Sequence, residues 1–285
     1  MIKRILVALD PDQDTPVATR YAAEIAQRYD AALSGLAVVD TGHIAREVGP
    51  GGAIGATHYL EQSRKRIVDE AREAGQALVA AFEAALDEAG VRHGERVEEG
   101  APDQRIIEDM KYADLLVIGR TPRFFYHRPE RETDILAKIV KRGVAPALVV
   151  GEEYRAIERV LIAYDGSDPA ARTLQRFVQL RPFGRELAVE LVHVHPSETK
   201  GAAQRSELLL RLAGSFLQAH GFERVTETSM AGGGPAERLL EQADRVGADL
   251  IVAGAHSVSA VRRMAFGSTT HTLLETCTLP LFLFN

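Results

Sequence analysis

The sequence predicts an α/β protein built from two tandem doubly wound parallel-sheet domains, and three observations carry that expectation. The chain repeats itself: RILVALDPDQDTPVATRYAAEIA from Arg4 is matched by RVLIAYDGSDPAARTLQRFVQL from Arg159. Its strands are short, nearly continuous apolar runs, such as LAVELVHVH from Leu187 to His195, which suit a parallel sheet covered on both faces. Its 285 residues are enough for two modest cores.

The elements follow in order. Each half opens with an apolar strand that ends in an aspartate, Asp10 or Asp165, followed by a polar turn with a proline where a helix starts. After the second strand the first half inserts Thr41 to His58, a glycine-rich segment that reads as a mobile loop. A helix follows from about Tyr59 to Ala89, with Leu60, Ile67, Ala71, Ala74, Leu78, Phe82 and Ala85 as its buried stripe. The match then resumes. APDQRIIE (Ala101 to Glu108) parallels GPAERLLE (Gly234 to Glu241), ADLLVIG parallels ADLIVAG, and the closing strand APALVV parallels LPLFLF. Each half therefore alternates five strands with four helices. The polar link Gly151 to Glu158 divides the chain into residues 1–151 and 152–285. A long apolar edge left bare is an aggregation hazard, so APALVV and LPLFLF are expected to meet within the chain or to pair between chains as a homodimer.

Composition narrows the function. An apolar share of 46% and a charged share of 26% are those of a soluble globular protein, and no apolar run reaches the ~20 residues a membrane span needs. A formal charge of −6 without a dense basic block argues against nucleic acid as a partner. MIKRILVALD reads as a strand, so a cytoplasmic location is expected and export is not. The one cysteine, Cys277, reads as a small buried residue before the last strand. His193 and His195 lie two apart on one strand, but no third ligand stands at matching spacing, so they read as structural.

In an open α/β sheet ligands bind beyond the carboxyl ends of the strands, where neighbouring connections diverge. In the second half Asp165 ends the first strand, Gly254 ends the fourth, and Gly267-Ser268 opens the last helix. A helix N-terminus offers unpaired N–H groups to an anion, and a glycine there lets phosphate approach the backbone. Ser268 can cap the helix or donate to a phosphate oxygen. Each feature has a plainer reading: Asp165 can simply accept from the N–H groups of its own turn, and Arg262 and Arg263 can be solvated loop charges.

ADLIVAG, a gap, Gly-Ser and a proline-containing final strand together resemble the universal stress protein family, whose nucleotide-binding members carry Gly-x-x-Gly, nine residues, then Gly-Ser or Gly-Thr. Here Gly254 takes the first position, Ser257 replaces the second glycine, Val258 to Phe266 supply the nine, and Gly267-Ser268 close the motif. YDGSDPA resembles the family's opening, and the resemblance spans both halves. It implies a Rossmann-like fold and an ATP site, with magnesium bridging the phosphates. In that site Asp165 lies near the ribose, Val194 and His195 meet the adenine, and Gly254, Gly267 and Ser268 hold the phosphates. Ser257 departs from the pattern, either crowding a phosphate or adding a hydroxyl donor.

The chain holds no G-x-S-x-G elbow, no G-x-x-x-x-G-K-[ST] loop and no H-E-x-x-H, so neither a hydrolase nucleophile, a P-loop lysine nor a zincin pair has a location, and any ATP turnover is expected to be slow and incidental. Two functions remain: an ATP-binding regulatory protein acting on a protein partner, and an interaction scaffold that kept the fold without the ligand. The first half is expected to have lost the site. Thr133-Asp134 stands where the second half has Gly267-Ser268, Pro11-Asp12 replaces Gly166-Ser167, and Arg120 to Glu132 exchanges a flexible loop for aromatics and prolines. The alternative is that Arg120, Arg123 and Arg128 offset Asp134 and recruit a different anion.

Overall fold

The computed structural model describes residues 1–43, 56–124, 132–195, 199–255 and 268–285. The first half runs β1 (Arg4–Leu9), α1 (Asp14–Tyr29), β2 (Ala32–Val39), α2 (Ala56–Ala89), β3 (His93–Glu99), α3 (Pro102–Met110), β4 (Leu115–Gly119), α4 (Glu132–Arg142) and β5 (Ala147–Val150). The second repeats it as β6 (Arg159–Ala163), α5 (Asp168–Leu180), β7 (Ala188–His195), α6 (Lys200–Ala219), β8 (Arg224–Ala231), α7 (Pro235–Val246), β9 (Leu250–Gly254), α8 (Ser268–Thr276) and β10 (Leu281–Phe284).

All ten strands form one sheet in the order β3-β2-β1-β4-β5-β10-β9-β6-β7-β8. Every neighbouring pair is parallel except β5 and β10, which meet antiparallel with Leu281 opposite Val149 and Leu283 opposite Ala147. The two closing strands thus join within the chain and cover each other's edge. The exposed edges are β3 (HGERVEE) and β8 (RVTETSMA), whose polar side chains discourage further pairing.

Alternation along each strand sends side chains to opposite faces. Ile5, Val7 and Leu9 join one core with Tyr21, Phe177 and Phe222, while Leu6 and Ala8 join the other with Leu36, Ile118 and Leu136. Both cores run through the β5–β10 seam, where Phe282 is fully buried and meets Phe177 edge-to-face at 5.3 Å. Burying an aromatic ring of this kind contributes about 1.5–3 kcal/mol. The link between the halves is pinned to α1. The Tyr21 hydroxyl donates to the Arg155 carbonyl at 2.7 Å and accepts from its N–H at 3.1 Å, and the Arg20 guanidinium lies 3.4 Å from the Tyr154 ring centroid.

The α2 helix begins at Ala56, three residues ahead of the sequence expectation, and most of the glycine-rich insertion lies outside the described residues. Its stripe also needs correction. Ala71 and Phe82 are buried, but Ala85 is exposed and Leu86 takes its place in the core. A period of 3.6 drifts against a 3-4 spacing, so the step after Phe82 is four residues.

Candidate functional site

In each half the connections leaving β1 or β6 diverge, with β2 or β7 on one side and β4 or β9 on the other. In the second half this divide opens into a cleft of about 230 Å³, just under the ~300–1,000 Å³ usual for ligand sites. Asp165 and Tyr164 follow β6, Val192, His193 and Val194 come from β7, Pro235 and Leu239 from the start of α7, Ala253 and Gly254 from β9, and Thr269 and Thr270 from the first turn of α8.

Local sequence accounts for each wall. Gly166, at φ +77°, turns the chain in a conformation open to glycine, and the Asp165 carboxylate accepts from the Ser167 N–H at 2.9 Å. Ser167 caps α5 by accepting from the Ala170 N–H at 3.3 Å, with Pro169 in the first turn. Gly254 packs so tightly on that turn that a Cβ there would stand 2.8 Å from the Ala170 nitrogen and 2.9 Å from the Pro169 carbonyl carbon. The Thr270 hydroxyl donates to the Gly254 carbonyl at 3.1 Å, fixing the start of α8 against β9. Leu239, Val192 and Ala253 supply an apolar wall.

Of the residues singled out from sequence, Asp165, Val194 and Gly254 come together on the cleft. Ser268 begins α8, but its side chain, together with Ser257, Gly267, Arg262 and Arg263, lies outside the described residues. His195 is not a lining residue. It is buried, and its carbonyl accepts from the Gly232 N–H at 2.9 Å. Its neighbour His193 lines the cleft instead, with Nδ1 bonded to the Ser206 hydroxyl at 2.8 Å. Burial and the nearby His195 pull the His193 pKa below its ordinary value, partly offset by Asp165, so the ring is neutral near pH 7. Sequence reasoning also missed Tyr164, Pro235, Leu239 and the threonines of α8. The small and apolar residues carry no chemical signal, but Pro235 and the threonines sit at helix starts facing the strand ends.

In the first-half counterpart the chain bonds back onto its own carboxylates. Register places Ala8, Leu36, Val38, Ile106 and Ile118 where the cleft has Ala163, Val192, Val194, Leu239 and Ala253. Both sets belong to or pack against one core face, and on the first-half side Phe124, 1% exposed, is buried in that core as well. Asp10, the counterpart of Asp165, is buried and accepts from the N–H groups of Arg123 and Phe124, the latter at 3.0 Å. Burial outweighs these donors and pushes its pKa up to about 7. Asp14 accepts from the N–H groups of Arg120 and Thr121 at 2.8 and 3.2 Å, and Asp12 from the Thr121 hydroxyl at 2.8 Å. Phe124 sits at φ +47°, a left-handed conformation that costs a non-glycine residue about 1–2 kcal/mol. The expected alternative, an arginine cluster recruiting another anion, needs correction. The Arg123 Nε stands 3.6 Å from Asp12, and the Arg120 guanidinium leaves the site for the carbonyls of Cys277 and Leu279. Arg128 and the side chain of Asp134 lie outside the described residues.

The model of the universal stress protein family matches residues 1–150 and again 156–285. Over its whole length the chain is 24% identical to Universal stress protein Slr1230 of Synechocystis sp., in an alignment that spans all of both proteins. Its fold is that of a universal stress protein from Archaeoglobus fulgidus, with a TM-score of 0.68 and 18% identity over 99% of this chain and 96% of that one. A universal stress protein solved in complex with cAMP aligns with 46% of this chain and 98% of its own, at 23% identity and a TM-score of 0.37.

Proposed function

Because the chain belongs to the universal stress protein family, with two copies of the domain in tandem, we propose that it is a regulatory protein whose second half binds ATP and whose first half does not. The observation that carries this reading is the contrast between the repeats. The same strand ends frame an open cleft bordered by an exposed Asp165 in one half, and in the other a buried Asp10 already bonded to the N–H groups of Arg123 and the buried Phe124.

In this reading the apolar wall of Val192, Leu239 and Ala253 takes the adenine, aided by the backbone at Val194. The Asp165 carboxylate, exposed and already oriented by the Ser167 N–H, accepts from the ribose hydroxyls. The backbone at Gly254 and the N-terminus of α8, with Gly267 and Ser268, receive the phosphates. Magnesium would arrive on the phosphates, as that ion keeps much of its water and is usually held through substrate oxygens. Among the described residues no three His, Cys, Asp or Glu side chains form a metal cage of their own.

The protein acts in this reading as a binder and not as an enzyme. Rapid phosphoryl transfer needs a group that orients the attacking water and a cation that stabilises the transition state, and His193, the ring beside Asp165, is neutral and tied to Ser206. Ligand-dependent assembly with a protein partner would carry the signal. A cytoplasmic setting suits its one free, buried cysteine. Among the described residues no helix is long and apolar enough to cross a membrane. Titrating the intact protein with ATP, ADP and AMP tests the reading: one saturable site per chain is expected, and none would favour a ligand-free scaffold.

A further inference from the structure

Arg120 follows β4 directly, and its second-half counterpart is Ala255. Its guanidinium crosses into the second half, where it meets the carbonyls of Cys277 and Leu279 and, at 3.5 Å, that of Leu273. Leu273 lies in the last turn of α8, and Cys277 and Leu279 in the segment leaving it. A helix end leaves carbonyls without intrahelical partners and carries partial negative charge, so a cation there satisfies both needs. The oxygen partners of this side chain are backbone carbonyls, the Cys277 side chain is a further hydrogen-bond partner, Asp14 lies close enough to attract it, and its Nε has no partner. Taking a guanidinium out of water for acceptors that are mostly neutral is costly, and Asp14, behind it, offsets part of that cost.

What holds it is the hydrogen bonding of the segment it belongs to. The Arg120 N–H is fixed by the Val150 carbonyl at 2.8 Å and by Asp14 at 2.8 Å, and the residues that follow are clamped by Asp10, Asp12 and Asp14. These three carboxylates come from the β1–α1 turn and the first residue of α1, and the counterpart segment, Asp165 to Pro169, borders the open cleft. At the other end of α8, roughly 13 Å away for nine residues at 1.5 Å each, Thr269 and Thr270 line the cleft and Thr270 is bonded to Gly254. The reverse contact is weaker: Asn285 of the second half donates a neutral amide to the Lys141 carbonyl near the end of α4, at 2.9 Å.

From this geometry we infer that Arg120 is a positioning residue for the second-half site, holding α8 in place from a first-half site that serves as a fixed anchor. The inference rests on the nucleotide reading of the cleft for its ligand, but the anchoring of α8 can be observed without one. Losing the guanidinium leaves α8 free to shift or fray, and the threonines that line the cleft move with it.

The test uses the full-length protein and three variants, Arg120→Ala, Arg120→Gln and Arg120→Lys. Hydrogen exchange is followed over residues 268–276, and ATP affinity by calorimetry. Arg120→Ala is expected to speed exchange in α8 by about tenfold or more while leaving α7 and β6 protected, and to weaken ATP binding about tenfold, within the usual range of coupling between sites. Arg120→Lys, which keeps the charge, should recover part of both effects. If Arg120→Ala does not fold, Arg120→Gln carries the same comparison. Unchanged protection of α8 in a folded variant overturns the inference, and so does a loosened α8 with unaltered ATP affinity, which would make Arg120 merely structural. A wild-type protein without nucleotide affinity refutes the reading of the cleft. The exchange data then decide the anchor: faster exchange confined to α8 supports it, and unchanged exchange overturns it.

Discussion

Gly254 is the point at which packing and binding depend on one missing atom, so replacing it with alanine tests both. A Cβ there would sit 2.8 Å from the Ala170 nitrogen, 2.9 Å from the Pro169 carbonyl carbon and 3.1 Å from the Ala170 Cα, all backbone atoms. The first distance is about 0.6 Å short of an ordinary contact, and no side-chain rotation can relieve it. Either the end of β9 or the first turn of α5 must move, which costs about 1–3 kcal/mol as overpacking. Gly94 provides the control, since a Cβ there has no neighbour within 4 Å. Gly94→Ala should change stability by no more than about 0.5 kcal/mol or raise it slightly, because alanine restricts the unfolded chain. Urea titrations of both variants against the wild type measure the difference. In thermal melts a protein of this size shifts by roughly 2–4 °C per kcal/mol. The displaced turn carries Ser167 and adjoins Asp165, so ATP affinity should fall together with stability. A Gly254→Ala protein as stable as Gly94→Ala would refute the packing argument.

Two further outcomes follow from side chains that do not touch the cleft. The Asp10 pKa is raised, so between about pH 4 and pH 7 the folded state binds a proton that the unfolded chain has released, and stability falls as pH rises through that window, by a few kcal/mol in all. Asp12 and Arg123 face the same carboxyl, and their own contributions largely cancel when Asp10→Asn is compared with the wild type; the variant's relative stability should climb by a similar amount from about pH 4 to pH 8, and a flat difference would contradict the assignment. Tyr21→Phe removes both hydrogen bonds to Arg155, and should cost about 1–2 kcal/mol in a urea titration; no loss would mean the linker does not depend on α1.

The repeat and the strands were legible because they rest on local patterns: apolar runs at β1, β4, β6 and β9, each in the same order relative to its helices. The edge argument reached the pairing of β5 with β10, since two apolar closing strands had no other cover. The meeting of Asp165 and Gly254 on one cleft was legible because the topology of an open α/β sheet brings those strand ends together. What stayed hidden depends on tertiary contact. Nothing in RTPRFF announces that Phe124 turns inward at positive φ with its N–H on Asp10, because both contacts exist only once the strands and helices have met. Arg120 was read only as one of three arginines that could offset Asp134 and recruit an anion. Its buried oxygen partners are backbone carbonyls, which leave no trace in residue identity. His193 and His195 were read together as a pair on one face, and only the structure showed that the cleft reaches the first and not the second.

The central claim is one nucleotide per chain, held at the start of α8, and calorimetric titration with ATP of the wild type beside Gly267→Asp tests it most directly. An aspartate at that position places negative charge and bulk where the helix N-terminus is proposed to hold phosphate. The account predicts a single site on the wild-type chain and no saturable heat from a variant that keeps the wild-type melting temperature. Two sites on the wild type, or undiminished affinity in the folded variant, would contradict it.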